Sequence, residues 1–393
     1  MFFKHLQEVL RENIREYGMY IALFIIMAIF TITTDGLFIS SRNISNLLNQ
    51  TGYIAVLAVG MTLVIVIRHI DLSVGFLAGF LGAVAAVALE FWNLPIYLVI
   101  PMTLAFGAIA GLITAFPVAQ LGIPSFVASL AGWLIYRGAL LLVTASTGTI
   151  IITNDAFNAI GNGYIPEIQA LNFLPGLHEP TLLLGLVAIV LYIISALNDR
   201  SKRKDYEFEV LPMDMFILKL GFMSVLIGLI TWVLAGYNGL SWTVVVVLIV
   251  VAVYHFITTQ TVLGRHIYAI GGNPDAAELS GISVKKLTFT VFGSMGMLCG
   301  LSGMLFASRL QSATTQAGTL FELDAIAAAY IGGVSAAGGV GKVTGSLVGA
   351  LVYMSLTSGM NLMNVDIAYQ YVVRGAVLAA AVIFDVATRG RGN

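Results

Sequence analysis

The sequence contains few charged residues and a single cysteine. Of its 393 residues, 10% are Asp, Glu, Lys or Arg and the formal net charge is -1, whereas soluble globular domains carry about a quarter charged residues. Binding of nucleic acid requires a basic surface, and this composition gives no indication of one. Cys299 has no second cysteine to pair with, so an intrachain disulfide and a cysteine-based metal site within one chain are excluded.

The motifs of common catalytic sites are also missing. There is no Gly-x-Ser-x-Gly elbow, no His-Glu-x-x-His pair and no dinucleotide fingerprint, and the five histidines are scattered. Residues 338–343 resemble a phosphate-binding loop only superficially, because Ala336 replaces its first glycine and Val343 replaces its Ser or Thr. We therefore expect no catalytic residues, no metal ligands and no cofactor in this chain.

What the chain does contain is apolar sequence in long runs. Hydrophobic residues make up 59% of it, which is typical of a polytopic membrane protein. A helix needs about 17–25 apolar residues to cross a bilayer. We predict an all-α membrane domain over residues 17–388 with about twelve transmembrane helices, the tenth of which is short and rich in glycine. The predicted spans are 17–34, 51–67, 74–91, 96–118, 125–143, 180–196, 213–234, 242–258, 287–307, 322–336, 344–360 and 368–386.

Positive charge predicts the orientation of these spans. A cytoplasmic N-terminus puts most Lys and Arg residues in inside connections and only Arg42 and Arg309 in outside ones, as the positive-inside rule requires. Both termini are then cytoplasmic. The inside cations are Lys4, Arg11, Arg15, Arg200, Lys202, Arg203, Lys204, Arg265, Lys285, Lys286, Lys342, Arg389 and Arg391.

The same orientation assigns the segments between spans. Residues 1–16 have the pattern of an amphipathic helix on the cytoplasmic membrane surface. Residues 197–212 and 259–286 are predicted cytoplasmic loops. Residues 144–179 form a predicted external loop without a helical period, either a docking site for a partner or an ordinary surface loop.

One polar stretch, residues 264–286, lies between two long apolar runs. Asn273 can cap a helix whose first position is Pro274, and Gly281 can end that helix after about two turns. A short, rigid helix in a cytoplasmic loop suits docking of a partner, although an ordinary connection with capped turns gives the same pattern.

This stretch resembles the cytoplasmic coupling loop of the sugar permeases of bacterial ABC importers, the ribose, xylose and multiple-monosaccharide group. Two further matches, in residues 60–75 and 322–341, follow the same order, and the resemblance covers residues 43–385. The two spans on either side of residues 197–212 resemble an insertion relative to the shorter ribose-type permeases. In having this extra pair, the chain is similar to the xylose-type and multiple-monosaccharide members.

The resemblance implies a permease subunit of the bacterial inner membrane and its partners. These are a second copy of the chain, a cytoplasmic sugar-type ATPase that binds ATP and Mg, and an extracytoplasmic sugar-binding protein. The residues it implies for contact with the ATPase are Gly272, Asn273, Pro274, Ala276, Ala277, Ser280 and Gly281.

Polar residues within the apolar sequence are candidates for a translocation path. Each has an alternative structural role, since asparagines bond neighbouring helices and Arg68 could pair with Asp71 to anchor a turn. Residues 71–82 and 324–333 share an acidic start and late glycines, which indicates either an inverted repeat or chance similarity. The path candidates are Asn46, Asn49, Asp71, Ser73, Glu322 and Asp324.

Other transporters and enzymes remain as alternatives at this stage. A permease for branched-chain amino acids or nucleosides shares the superfamily pattern. A secondary transporter driven by an ion gradient would need buried acids that titrate, for which Asp71 and Glu322 are candidates. A membrane enzyme would need a cluster of catalytic residues that the sequence does not supply.

Overall fold

The computed structural model describes residues 14–168, 174, 176–208 and 210–389, and within these ranges the chain is almost entirely helical. This confirms the predicted all-α membrane fold. Most of the predicted surface helix, residues 1–13, lies outside the described residues. The helices are α1 (Ile14–Thr33), α2 (Ser41–Val66), α3 (Val74–Glu90), α4 (Ile96–Leu121), α5 (Ser125–Thr144), α6 (Asp155–Asn162), α7 (Glu179–Asp205), α8 (Met213–Ala235), α9 (Trp242–Gln260), α10 (Val262–Gly272), α11 (Pro274–Leu279), α12 (Val284–Leu310), α13 (Phe321–Ile331), α14 (Val343–Leu362) and α15 (Ile367–Arg389).

A helix lies at each predicted span, but the helices differ in length. Of those in the described part of the chain, nine are long and apolar enough to cross a membrane, and Gly18–Thr33 and Val74–Glu90 are shorter apolar helices. Helix α13 has 11 residues, which reach about 16 Å at 1.5 Å per residue and cannot cross a hydrocarbon core of about 30 Å. It ends at Ile331 because Gly333, two residues later, adopts a left-handed conformation with φ 85°. The number of crossings and the side of the termini stay predictions.

Two helices, α2 and α12, form the centre of the bundle. In α2, 89% of the spanning window is buried, whereas in α15 the figure is 6%. Helix α12 packs along α3 and α4, and α2 packs along α13 and α14. Both central helices are followed by a residue in the left-handed conformation, Arg68 after α2 and Gln311 after α12. Such paired contacts are what an inverted repeat of residues 71–82 and 324–333 would give, and the repeat itself stays a prediction.

Glycines allow the central helices to approach closely. A Cβ atom at Gly107 in α4 would lie 2.2 Å from the carbonyl oxygen of Gly296 in α12, and one at Gly349 in α14 would lie 1.9 Å from that of Ala328 in α13. Within lipid, such close backbone packing replaces the hydrophobic drive that joins helices in water. The structure thus gives a packing role to Gly107, Gly296 and Gly349.

Folded elements occur where the sequence predicted an external loop. Residues Thr149–Ile151 form strand β1, which pairs antiparallel with strand β2, Ser312–Thr314. Helix α6 follows, and the side chain of Asn154 caps it by accepting from the Phe157 amide at 2.9 Å. The sequence shows no clear helical period here, because α6 has only eight residues and the partner of β1 lies far away in the chain. The position of residues 144–179 outside the membrane stays a prediction.

The predicted cytoplasmic loops are also more helical than the sequence indicated. Helix α7 continues to Asp205, well into residues 197–212. The 259–286 segment holds two helices, α10 and α11, instead of the one that the sequence predicted.

Candidate functional site

Helix α11 begins as the sequence predicted. Pro274 occupies its first position, and Oδ1 of Asn273 accepts a hydrogen bond from the Ala276 amide at 3.1 Å. This satisfies one of the amides that have no partner within the helix.

The end of α11 is set by Gly281. This glycine has φ 85°, and its amide donates to the Glu278 carbonyl at 2.9 Å. The next amide, of Ile282, donates to the Ala277 carbonyl at 3.0 Å. Together the two bonds form the Schellman arrangement that ends many helices, so the predicted helix end is confirmed.

Helix α10 precedes α11 and was missed from the sequence. The Thr261 side chain caps it by accepting from the Gly264 amide at 3.2 Å. Its apolar positions Ile267 and Ile270 are buried against the bundle. The available signal in the sequence was Thr261 as a capping residue, followed by apolar residues three positions apart, Ile267 and Ile270.

The side chains of α11 divide between the protein interior and its surface. Ala277 is 5% exposed and belongs to the main apolar core, so it faces this chain. Leu279 is 91% exposed, which is unusual for a leucine. The sequence reasoning did not single out Leu279, although an apolar residue within a polar stretch was the visible signal. The other exposed residues on this helix are Asp275, Ala276 and Glu278, followed by Ser280.

The turn between α2 and α3 contains no Arg68–Asp71 ion pair, so this structural alternative was wrong. Arg68 instead donates from Nε to the Gly271 carbonyl at 2.8 Å and from Nη2 to the Gly272 carbonyl. Asp71 Oδ1 accepts from the amide of Ser73 at 2.9 Å and from its hydroxyl at 2.6 Å. Burial raises the pKa of the Asp71 carboxyl, and these two bonds act in the opposite direction.

The first turn of α13 carries two buried carboxylates with different partners. Glu322 Oε1 accepts a hydrogen bond from Trp133 Nε1 at 3.0 Å, whereas its Oε2 has no donor among the described residues. Asp324 forms an ion pair with Arg374 of α15, and Nε of Arg374 donates to the hydroxyl of Tyr353 at 2.9 Å. Arg374 thus joins α13, α14 and α15.

The two asparagine candidates lie near the other end of α2. Asn49 is buried, and its Oδ1 accepts a hydrogen bond from the Ser241 hydroxyl. Its Nδ2 also donates to the hydroxyl of Tyr164 at 3.5 Å. These bonds join α2 to the residue that caps α9 and to the segment after α6, so Asn49 has a structural role close to the interhelical bonding that the sequence offered as an alternative. Asn46 is half-buried.

The structure brings part of the predicted path together. A Cβ atom at Gly75, near the start of α3, would lie 2.1 Å from Glu322 Oε2, so the beginnings of α3 and α13 touch. Asp71, Ser73 and Glu322 therefore lie in one region, Asp324 follows Glu322 in the first turn of α13, and Asn49 is bonded elsewhere, to Ser241 and Tyr164. In the part of the chain that the structure describes, no group of three His, Cys, Asp or Glu side chains is placed to hold a metal ion.

Comparisons with known proteins match nearly the full length of the chain. The family described as branched-chain amino acid transport system / permease component matches residues 43–382. The xylose transport system permease protein XylH of Haemophilus influenzae is 38% identical over 96% of this chain and 97% of its own. XylH of Escherichia coli K12 is 39% identical over 96% and 93%.

A ribose permease is also similar to the chain. The ribose import permease protein RbsC of Haemophilus influenzae is 34% identical over 94% of this chain and 93% of its own. No solved structure matches. With its nine apolar spans among the described helices, the chain is a multi-pass protein of the bacterial inner membrane. It belongs to this family of transport-system permease components, whose members include permeases of ABC transporters.

Proposed function

We propose that this chain is the membrane-spanning permease subunit of an ABC importer for xylose or for several monosaccharides. The observation that carries the proposal is the similarity to XylH, which extends over 96% of the chain and includes the extra helix pair α7 and α8. The chain binds neither ATP nor Mg, and the partner ATPase supplies the hydrolysis. No cofactor is needed in the permease itself.

Helix α11 is the proposed contact with the ATPase. It is short and capped at both ends, so it can transmit a push without bending. Leu279 provides an apolar anchor, flanked by Asp275, Ala276 and Glu278. An apolar side chain that is almost fully exposed in one subunit fits a pocket in another. The resemblance also implied a contact between Ala277 and the ATPase. In the structure, Ala277 packs into the apolar core of this chain and holds α11 against it.

The translocation path is proposed to pass the meeting point of α3 and α13. Asp71 and Ser73 just before α3, and Glu322 and Asp324 in the first turn of α13, put carboxylates and a hydroxyl into an otherwise apolar bundle. Carboxylates and hydroxyls accept and donate the hydrogen bonds that sugar hydroxyls require. Asn49 contributes to the fold through Ser241 and is a weaker candidate for the path.

The partners complete the assembly on both sides of the membrane. A second copy of the chain forms the dimer. The predicted external region 144–179 receives the sugar-binding protein, and β1 and α6 are the folded elements that it offers for this contact.

The first experiment is to purify the tagged chain in mild detergent from its native host and to identify its partners by mass spectrometry. We expect a double-domain ATPase to be recovered, and to be lost from Leu279→Asp. Val262→Asp is the matched control, since Val262 is also exposed and lies in the same 259–286 segment. Recovery of the ATPase at the native level with Leu279→Asp would contradict the assignment of α11.

Two other substrates or mechanisms are separated by uptake measurements. The family description favours branched-chain amino acids as the second candidate. If unlabelled leucine competes with the uptake of labelled xylose and other pentoses do not, the assigned substrate changes from a sugar to a branched-chain amino acid. If uptake persists after ATP depletion, the energy source is an ion gradient and not ATP hydrolysis by a partner.

A further inference from the structure

Arg68 connects the turn after α2 to the end of α10. Its Nε donates to the Gly271 carbonyl at 2.8 Å, and its Nη2 donates to the Gly272 carbonyl. Carbonyls in the last turn of a helix have no amide partner within that helix. A planar guanidinium can serve two neighbouring carbonyls in a fixed orientation. Arg68 therefore caps α10 immediately before Asn273 begins α11.

The loop between α13 and α14 closes the same junction from another side. The Gly339 amide donates to the Val66 carbonyl at 2.9 Å. A Cβ atom at Gly271 would lie 2.1 Å from the Val66 oxygen, and one at Gly338 would lie 2.4 Å from Cγ of Arg68. Gly338 and Gly339 also have φ 82° and 72°, which favours glycine at both positions. We call Arg68, Gly271, Gly272, Gly338 and Gly339 the Arg68 clasp.

Two more bonds attach the clasp to its surroundings. The Tyr268 hydroxyl on α10 donates to the Gly341 carbonyl at 2.6 Å. Asp385 Oδ2 on α15 accepts from the Ala336 amide at 3.1 Å. The loop that carries Gly338 and Gly339 is thus joined to helices on both of its sides. Its glycines, which resemble a phosphate-binding loop in sequence, have a packing role here.

The other end of the turn leads directly to the candidate path. Arg68 is followed by Asp71 and Ser73, which lie immediately before α3, and the start of α3 touches Glu322 through Gly75. Arg68 itself is a non-glycine residue with φ 66°, a conformation that costs energy and is retained where the surroundings impose it. A displacement of α11 must therefore carry the turn with it or break the bonds of the clasp.

We propose that the Arg68 clasp transmits movement of α11 to the beginning of α3 during transport. Arg68 is then a positioning residue, which contacts neither the sugar nor the ATPase. The inference rests on the proposed function, because it requires α11 to be the contact with the ATPase. A second route runs directly from α11 into α12, which packs along α3, whereas the clasp acts on the turn that precedes α3.

The test compares Arg68→Ala and Arg68→Lys with the native chain, purified together with its ATPase and placed in lipid nanodiscs. Both variants should retain the ATPase, since they leave the exposed face of α11 unchanged. ATP hydrolysis stimulated by xylose and its binding protein should fall about tenfold, and uptake into cells should fall in parallel. Lys fails because an ammonium on a flexible chain does not hold two carbonyls in one geometry. Arg265→Ala is the matched control, as Arg265 is an exposed arginine on α10 outside the clasp.

Each result supports or overturns the inference. Uptake by Arg68→Ala within about twofold of native overturns it, and so does an equal loss in Arg265→Ala, which would indicate a general charge effect. Loss of the ATPase from Arg68→Ala and Arg68→Lys assigns Arg68 to docking and also overturns it. If Arg68→Ala is not recovered from the membrane, Arg68→Lys and Tyr268→Phe are tested in its place. Stimulation of ATP hydrolysis at the native level in both variants overturns the inference. Failure of the proposed function gives different results: Leu279→Asp would retain both the ATPase and uptake if α11 is not the contact, and the native chain would take up sugar after ATP depletion if no ATPase drives it.

Discussion

Trp133 donates a hydrogen bond from Nε1 to Glu322 Oε1 at 3.0 Å, and this bond joins the middle of α5 to the first turn of α13. Both side chains lie where α3, α5 and α13 meet, and the ring of Phe76 packs edge-on against the indole at 4.7 Å between centroids. The second carboxylate oxygen is packed against the start of α3 without a donor among the described residues. Glu322 is 4% exposed, and a buried carboxylate is costly unless hydrogen-bond donors such as Trp133 replace its contacts with water.

Removal of the indole donor should therefore lower the stability of the protein. Trp133→Phe keeps an aromatic ring but leaves a buried carboxylate with one bond fewer, and we expect a loss of about 1–3 kcal/mol. Thermal unfolding in detergent, followed by size-exclusion chromatography, measures the change. Trp232→Phe is the control, because Trp232 is exposed on α8 and should be neutral. Equal midpoints for both variants would show that the bond is unimportant.

The Asp324–Arg374 ion pair should be strongly coupled. Asp324→Asn or Arg374→Met alone leaves one buried charge unpaired, which costs about 3–5 kcal/mol. The double variant removes both charges, so its loss should be smaller than the sum of the two single losses. A double-mutant cycle on unfolding midpoints tests this, and simple additivity would mean that the two charges act independently.

Substitution to Trp should separate the two faces of α11. Ala277→Trp forces a large ring into the contact with α12 and should lower stability by about 1–3 kcal/mol. Ala276→Trp places the same ring on the exposed face, and should leave the unfolding midpoint unchanged while reducing recovery of the ATPase. Co-purification and thermal unfolding on the same preparations distinguish these effects. The reverse assignment of the two phenotypes would mean that α11 presents its other face to the partner.

Asn49 should affect folding more than transport. Asn49→Ala removes the bond to Ser241, and a hydrogen bond between membrane helices contributes about 0.6 kcal/mol on average. Uptake of labelled xylose, normalised to the amount of inserted protein, should remain near native. Asn46→Ala should leave stability unchanged, which makes it the control for loss of an amide on the same helix. A large rise in the xylose concentration that gives half-maximal uptake by Asn49→Ala would indicate that Asn49 lies on the translocation path.

Local signals in the sequence predicted helix α11 well. Asn273, Pro274 and Gly281 act through bonds to residues within four positions, so their effect can be read from spacing alone. The spans were predicted for the same reason, since hydrophobicity over a run of residues is a local property. Helix α10 was missed because its pattern of buried residues is short and lies within a polar stretch.

The partners of polar side chains could not be predicted in this way. Arg68 and Asp71 are three positions apart, which favoured an ion pair, yet Arg68 binds carbonyls that follow about two hundred positions later. Glu322 and Trp133 are also distant in sequence and meet because α3, α5 and α13 pack together. Strands β1 and β2 show the same effect, since neither has the length to be recognised without its partner.

The sequence by itself determined that this protein is a helical membrane protein, where its apolar helices lie and where α11 begins and ends, because hydrophobicity and capping act over a few neighbouring residues. Only the tertiary structure decided that Ala277 faces inward and Leu279 outward, that Asp324 pairs with Arg374, and that Arg68 holds the end of α10. These contacts depend on which helix faces pack together, and that choice is made by the close approach of glycines and buried polar groups far apart in the chain.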